Sequence, residues 1–255
     1  MNRPPKALCL LGIGMIALAA GCGRAGWPPP EDLRLDGPGG QVIAGTLHRT
    51  PQAGVPGLLL IHGYGGNRSV WDGFAERVCR EGYLVLTVDL PGHGESPVLP
   101  DRVSYRDYST DDWLSMLPAL AEGLAALVEA GAKPDDLGVI GETLGAHLAL
   151  HLAAREPMIE ASILLSPALE RHGIALDTVM AGFAERPVLL LAGQRDSASA
   201  TAATTLKEIA PGYSEIRFYD TSLQGTDFFA SHPNSMDQIL EWLSGIIGPR
   251  QAAPG

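Results

Sequence analysis

The chain reads as an α/β protein built on a doubly wound, mostly parallel sheet with helices on both faces. Three observations predict this. Short, wholly apolar runs such as Leu58–Ile61 lie between glycines, as strands buried on both faces do. Segments with helical spacing alternate with those runs along most of the chain. Loops carrying glycine, histidine and acid follow the predicted strand ends, which is where parallel sheets place their sites. A length of 255 residues suits one sizeable domain of this kind. With 45% hydrophobic and 18% charged residues, a disordered chain is excluded. Gly 31 and Pro 20 are high, but no Gly-X-Y period runs through them, so a collagen-like structure is excluded too.

The elements follow in order. Leu33–Leu35 and Val42–Leu47 flank a Gly-Pro-Gly-Gly turn and predict a leading hairpin. Leu58–Ile61 is the first buried strand, and Val70–Glu81 has helical spacing with Trp71, Phe74, Ala75 and Val78 on one side. Tyr83–Val88 is a second buried strand. A long helix is expected over about Asp111–Ala130, where Asp111 and Asp112 suit the cap and the dipole. A strand at Leu137–Ile140, a helix over Leu144–Arg155 and strands at Ser162–Leu165, Val188–Ala192 and Ile216–Tyr219 come next, and a helix over Asn234–Ile247 closes the series. The domain therefore spans 33–247, with 248–255 as a flexible tail. The polar segment Pro97–Tyr108 is read as a partial lid, so any lid is minimal.

The N-terminus reads as an address. Arg3 and Lys6 precede the apolar run Ala7–Ala20, which is too short to span a bilayer, for which roughly 20 residues are needed, but suits a signal-peptide core. It ends Leu18-Ala19-Ala20-Gly21-Cys22, which resembles the lipobox of bacterial lipoproteins. That resemblance implies a signal peptide over 1–21, lipidation of Cys22, and a membrane-anchored location in the bacterial cell envelope. The plainer alternative is ordinary signal cleavage that leaves Cys22 as a thiol. Residues 22–32, with Pro28-Pro29-Pro30, form a tether, and Trp27 in it either meets lipid or packs on the domain.

Charge and cysteine content narrow the partners. The net charge of −11 repels a phosphate backbone, so nucleic acid is not expected as a partner. That charge suits small neutral or cationic partners better than anions. The three cysteines make no disulfide framework, and Cys79 on a predicted helix reads as a small core residue. His147 and His151 are i, i+4 on one helix, but no third ligand at a metal-site spacing accompanies them, so no metal is expected. No phosphate loop or dinucleotide fingerprint stands out, so no cofactor is expected.

Three loops carry the candidate chemistry: His62-Gly63-Tyr64-Gly65-Gly66, Asp89-Leu90-Pro91-Gly92-His93-Gly94, and Gly141-Glu142-Thr143-Leu144-Gly145. The third is a small-x-x-x-small turn from strand to helix, which projects its central side chain above the sheet. These three loops, in this order behind buried strands, resemble the α/β-hydrolase family, in particular small esterase or dienelactone-hydrolase-like members. The resemblance covers about residues 33–247. It implies an oxyanion hole at His62, Gly63 and Tyr64, with backbone donors from Tyr64 and Leu144. It also implies a triad in the order nucleophile, acid, histidine.

Against that pattern, Val188-Leu189-Leu190-Leu191-Ala192-Gly193-Gln194-Arg195-Asp196 places Asp196 as the acid, although an Asp there also suits a helix cap. The other two positions depart from the family. Thr143 stands where the family carries Ser, and Gln224 stands where it carries His. A glutamine amide takes up no proton near neutral pH, and losing the base costs roughly 10⁶ in turnover. Glu142 is expected to point away from Thr143. His232 is a replacement base only if the last loop folds back; otherwise it is a surface histidine. His62 and His93 read as structural, while His48 and His172 carry no signal.

Two functions follow from this. One is an impaired hydrolase scaffold, a pseudoenzyme that binds a small-molecule ligand or a partner. The other is an active carboxylester hydrolase using Thr143, His232 and Asp196 on an ester substrate. A third reading is an interaction protein using an outer face. The oligomeric state is not legible in the sequence.

Overall fold

The computed structural model describes residues 27–249. The expected signal segment, Cys22 and most of the expected tail lie outside the described residues. β1 (Glu31–Asp36) and β2 (Val42–His48) form the leading antiparallel hairpin. It starts at Glu31, so the domain takes in two residues assigned above to the tether. Trp27 packs against the domain's apolar core.

β3 (Val55–Ile61) leads through a 3₁₀ turn at Arg68–Trp71 into α1 (Asp72–Arg80), and β4 (Leu84–Val88) follows. The helix expected over Asp111–Ala130 is two helices, α2 (Thr110–Leu114) and α3 (Leu117–Glu129). Ser109 and Asp112 close a capping box at the start of α2, and Pro118 sits in the first turn of α3, where a missing N–H costs nothing. β5 (Ala132–Glu142) enters α4 (Leu144–Arg155), and β6 (Ile159–Leu165) follows. A small hairpin, β7 (Glu170–Arg171) with β8 (Ile174–Ala175), and α5 (Asp177–Ala181) come next; neither is evident from periodicity. The chain continues through β9 (Val188–Gly193), α6 (Ser197–Ile209), β10 (Ser214–Tyr219), α7 (Asp227–Ser231) and α8 (Asn234–Ile247).

Eight strands make one sheet in the order β1-β2-β4-β3-β5-β6-β9-β10. β1, β2 and β4 pair antiparallel, and all later pairs are parallel. Alternate residues of the central strands face opposite cores. Leu58 and Leu60 belong with the cluster under α1 and α8, whereas Leu59 and Ile61 belong with the cluster under α3, α4 and α6. All four are fully buried, and each such side chain contributes about 1.5–3 kcal/mol. The register brings Ile61 beside Gly141, and Glu142 beside Leu165. The loops after β3, β5, β6, β9 and β10 therefore emerge along one edge of the sheet.

Candidate active site

The turn from β5 into α4 is tight because two glycines permit it. A Cβ on Gly141 would collide with the Gly145 carbonyl, and one on Gly145 with the Ile61 carbonyl. Between them Thr143 is held at φ 47°, ψ −110°, a strained setting for a β-branched residue. A Cβ on Gly63 would collide with Thr143 Oγ1, so the hydroxyl lies over the first loop. That hydroxyl has no hydrogen-bond partner among the described residues. The Tyr64 and Leu144 N–H groups likewise donate to no acceptor among the described residues. They are left facing the position where the family's oxyanion hole is expected.

The first loop is fixed by two neutral histidines. The His62 Nδ1–H donates to the Gly63 carbonyl at 2.6 Å, and its Nε2 accepts from the Leu90 N–H at 2.9 Å. Burial pushes this imidazole down to about 4. His93 Nε2 accepts from the Gly65 N–H at 3.2 Å, and its Nδ1–H donates to the Pro91 carbonyl at 3.2 Å. Burial lowers its pKa as well. Both rings hold their loops rather than line the cavity, in agreement with a structural role.

The acid loop follows β9. Asp196 caps α6 by accepting from the Ser199 N–H at 3.3 Å, and its other oxygen accepts from the Gln224 amide at 2.5 Å. The cap and acid-position readings of Asp196 are thus satisfied together. Gln224 sits on a pinned loop. The Gly225 N–H donates to Ser166 Oγ at 2.9 Å, and the Thr226 N–H donates to Glu142 at 2.6 Å. Glu142 does not point away into the sheet, as the sequence led us to expect. Its carboxylate lines the same cavity and bridges two loops, with one oxygen on the Thr226 N–H and the other on the Gly63 N–H at 3.1 Å. Alternation along a strand fails at this residue because β5 ends there and turns.

A cavity of about 390 Å³ opens on this edge. Gly63, Tyr64, Thr143 and Gln224 line it, so four of the residues expected at the site are brought together. Asp196 joins them through Gln224. His232 does not. The sheet edge is left by α7, whose Phe228 and Phe229 are buried, and Phe229 stacks on Phe74 at 5.2 Å. That anchoring carries the chain away from Thr143 and sets His232 in a different depression, beside Tyr219 (5.3 Å) with its Nδ1 on Ser231 Oγ at 2.9 Å. The expectation that His232 could reach Thr143 is not met.

Two cavity residues escaped the sequence reading, Arg171 and His172. They come from the β7–β8 hairpin, whose two-residue turn has both central residues at positive φ, His172 at 51° and Gly173 at 76°. An X-Gly pair between short strands is the signal that could have found it. The hairpin is strapped down. The His147 Nδ1–H donates to the Ile174 carbonyl at 2.8 Å, the His151 Nε2–H to the Ala175 carbonyl at 2.9 Å, and the Thr110 hydroxyl to the His172 carbonyl at 3.0 Å. The i, i+4 histidine pair thus holds backbone. His172 stacks on Tyr64 at 4.5 Å, and burial followed by the nearby Arg171 charge lowers its pKa. The segment expected as a lid lies elsewhere: its Tyr105 packs on His93 (3.9 Å) and Tyr64 (5.2 Å), behind the first loop. Cys79 is buried in the core, and burial pushes its thiol up to about 11, in keeping with a packing residue.

The model of the alpha/beta hydrolase family matches residues 58–252, and the chain belongs to that family. A pimeloyl-[acyl-carrier protein] methyl ester esterase of Neisseria meningitidis is 34% identical over 114 residues, 45% of this chain and 37% of that protein. An AB hydrolase superfamily protein of Gibberella zeae is 30% identical over 120 residues, 47% of this chain and 38% of that protein. The chain thus spans about two fifths of the length of the curated relatives it matches. Among solved structures, the Pyrococcus furiosus esterase Pf2001 superposes with a TM-score of 0.67 at 17% identity, over 86% of this chain and 94% of that one. The hydrolase GrgF from Penicillium gives 0.72 at 15% identity, over 86% and 99%. At these identities the structural likeness shows the fold.

Proposed function

We propose that this protein is a hydrolase scaffold that binds a small molecule in the Thr143 cavity with little or no turnover. One observation carries the reading: the Gln224 amide occupies Asp196, at the place where a proton acceptor would have to stand. Thr143 then has an oxygen but nothing to remove its proton, and proton transfer requires an acceptor within about 2.6–3.2 Å. The unused Tyr64 and Leu144 N–H groups still favour an oxygen-bearing ligand there. Incubation with a fluorophosphonate followed by intact-mass measurement tests the reading. No adduct is expected, and an adduct on Thr143 overturns it.

An active ester hydrolase is the second reading, favoured by the retained N–H pair and by the esterases among the relatives. His232 being elsewhere, it would take its base from His172, the imidazole that lines the cavity. In that case His172→Ala abolishes hydrolysis of p-nitrophenyl acetate. The address at the N-terminus completes the proposal: export, lipidation at Cys22 and a tether that leaves the domain at a membrane surface of the cell envelope. This part rests on residues 1–32 of the sequence alone.

A further inference from the structure

Arg171 has no evident task in the fold. Its Nε is buried and meets no hydrogen-bond partner among the described residues. It forms no ion pair among them either, although Asp227 lines the same cavity. A guanidinium held at a cavity wall without a counter-charge is costly unless something pairs with it. The hairpin that carries it is tied at three carbonyls by His147, His151 and Thr110, so its position is fixed before any ligand arrives. Its charge is felt locally, since it depresses both His172 and His147 after burial.

We infer that the Thr143 cavity is a binding site for a small carboxylate, paired by Arg171 and received by the free Tyr64 and Leu144 N–H groups. An Arg fork matches the two oxygens of a carboxylate, and charge-assisted bonds of this kind are about twice as strong as neutral ones. The Leu144 N–H also lies at the start of α4, a twelve-residue helix whose dipole favours negative charge. A monoanion fits better than a dianion. Glu142 is nearby, with its oxygens already committed to Gly63 and Thr226, and Asp227 is at the rim, so each added negative charge is repelled. The overall charge of −11 opposes anions at a distance, but beyond about 8 Å that field is screened at physiological salt. The inference deepens the proposed function: it takes the acid, not the ester, as the ligand of an inert pocket.

Calorimetric titration of the whole protein with butyrate, methyl butyrate and inorganic phosphate tests it. Butyrate should bind saturably and at least tenfold more tightly than methyl butyrate or phosphate. Arg171→Met should weaken butyrate tenfold or more, Arg171→Lys should lose less, and Arg77→Met, on the far helix α1, should change nothing. Equal binding of the acid and its methyl ester, tighter binding of phosphate, no saturable binding, or an unchanged Arg171→Met would each overturn the carboxylate site. If Arg171→Met does not fold, the ratio of acid to ester on the unaltered protein decides alone. Release of methanol from methyl butyrate would refute the inert reading separately, and inhibition of that reaction by butyrate, compared in Arg171→Met, would then decide the site.

Discussion

Thr143 concentrates the cost of this site in one residue. Positive φ at a β-branched position costs about 1–3 kcal/mol, and the hydroxyl makes no compensating hydrogen bond with the described residues. Thr143→Gly relieves the strain, less up to about 1 kcal/mol for the extra freedom of glycine in the unfolded chain. Urea unfolding should show a net gain of about 1 kcal/mol; a loss would mean the turn is not strained. Glu142 acts in the opposite sense. Both its oxygens receive backbone N–H groups from different loops. Glu142→Gln turns an N–H toward one of those donors and leaves it unmet, which should destabilise the protein by about 1–3 kcal/mol in the same measurement. Neither effect could be read from the pentapeptide itself. The glycines at 141 and 145 announce a sharp turn, but which way a glutamate points at a strand end depends on loops distant in sequence.

At the scale of elements, the hairpin that bears Arg171 hangs on α4 through His147. Burial holds that imidazole neutral down to about 4, against an ordinary value of 6.5. Between those values the unfolded chain binds a proton that the folded chain does not, so stability must fall as pH drops through the window. His62 behaves alike, with a folded value of about 4. Each group removes up to about 1.4 kcal/mol per pH unit. His147→Gln should flatten the dependence of unfolding free energy on pH between 6.5 and 4, and an unchanged slope would contradict the assignment. The elements that periodicity revealed are those with a long apolar stripe or a wholly apolar run, such as β3, α4 and α8. The β7–β8 hairpin, α5 and α7 are too short to carry a period. Their placement comes from side-chain straps and from buried Phe228 and Phe229, which is why His232 seemed able to reach a site it does not approach. The break between α2 and α3 was marked by Pro118 and was passed over because the apolar pattern runs on through it.

For the molecule as a whole, order of motifs along the chain carried the fold: three loops behind three buried strands define one edge of one sheet. Acid and glutamine meet there as the motif order implied, and what the sequence lacked was any sign of the cationic wall. The N-terminal address makes its own prediction. Cys22→Ser should move the protein from the membrane fraction to the soluble one and abolish incorporation of radiolabelled palmitate; retention of both would exclude lipidation at Cys22. The central claim is that proton acceptance is missing because Gln224 holds Asp196. It is tested most directly by hydrolysis of p-nitrophenyl acetate in the unaltered protein and in a Thr143→Ser, Gln224→His double variant. The expected result is background rate in the first and a rise on the order of a hundredfold or more in the second. Robust turnover by the unaltered protein, undiminished when Gln224 is replaced by alanine, would contradict it.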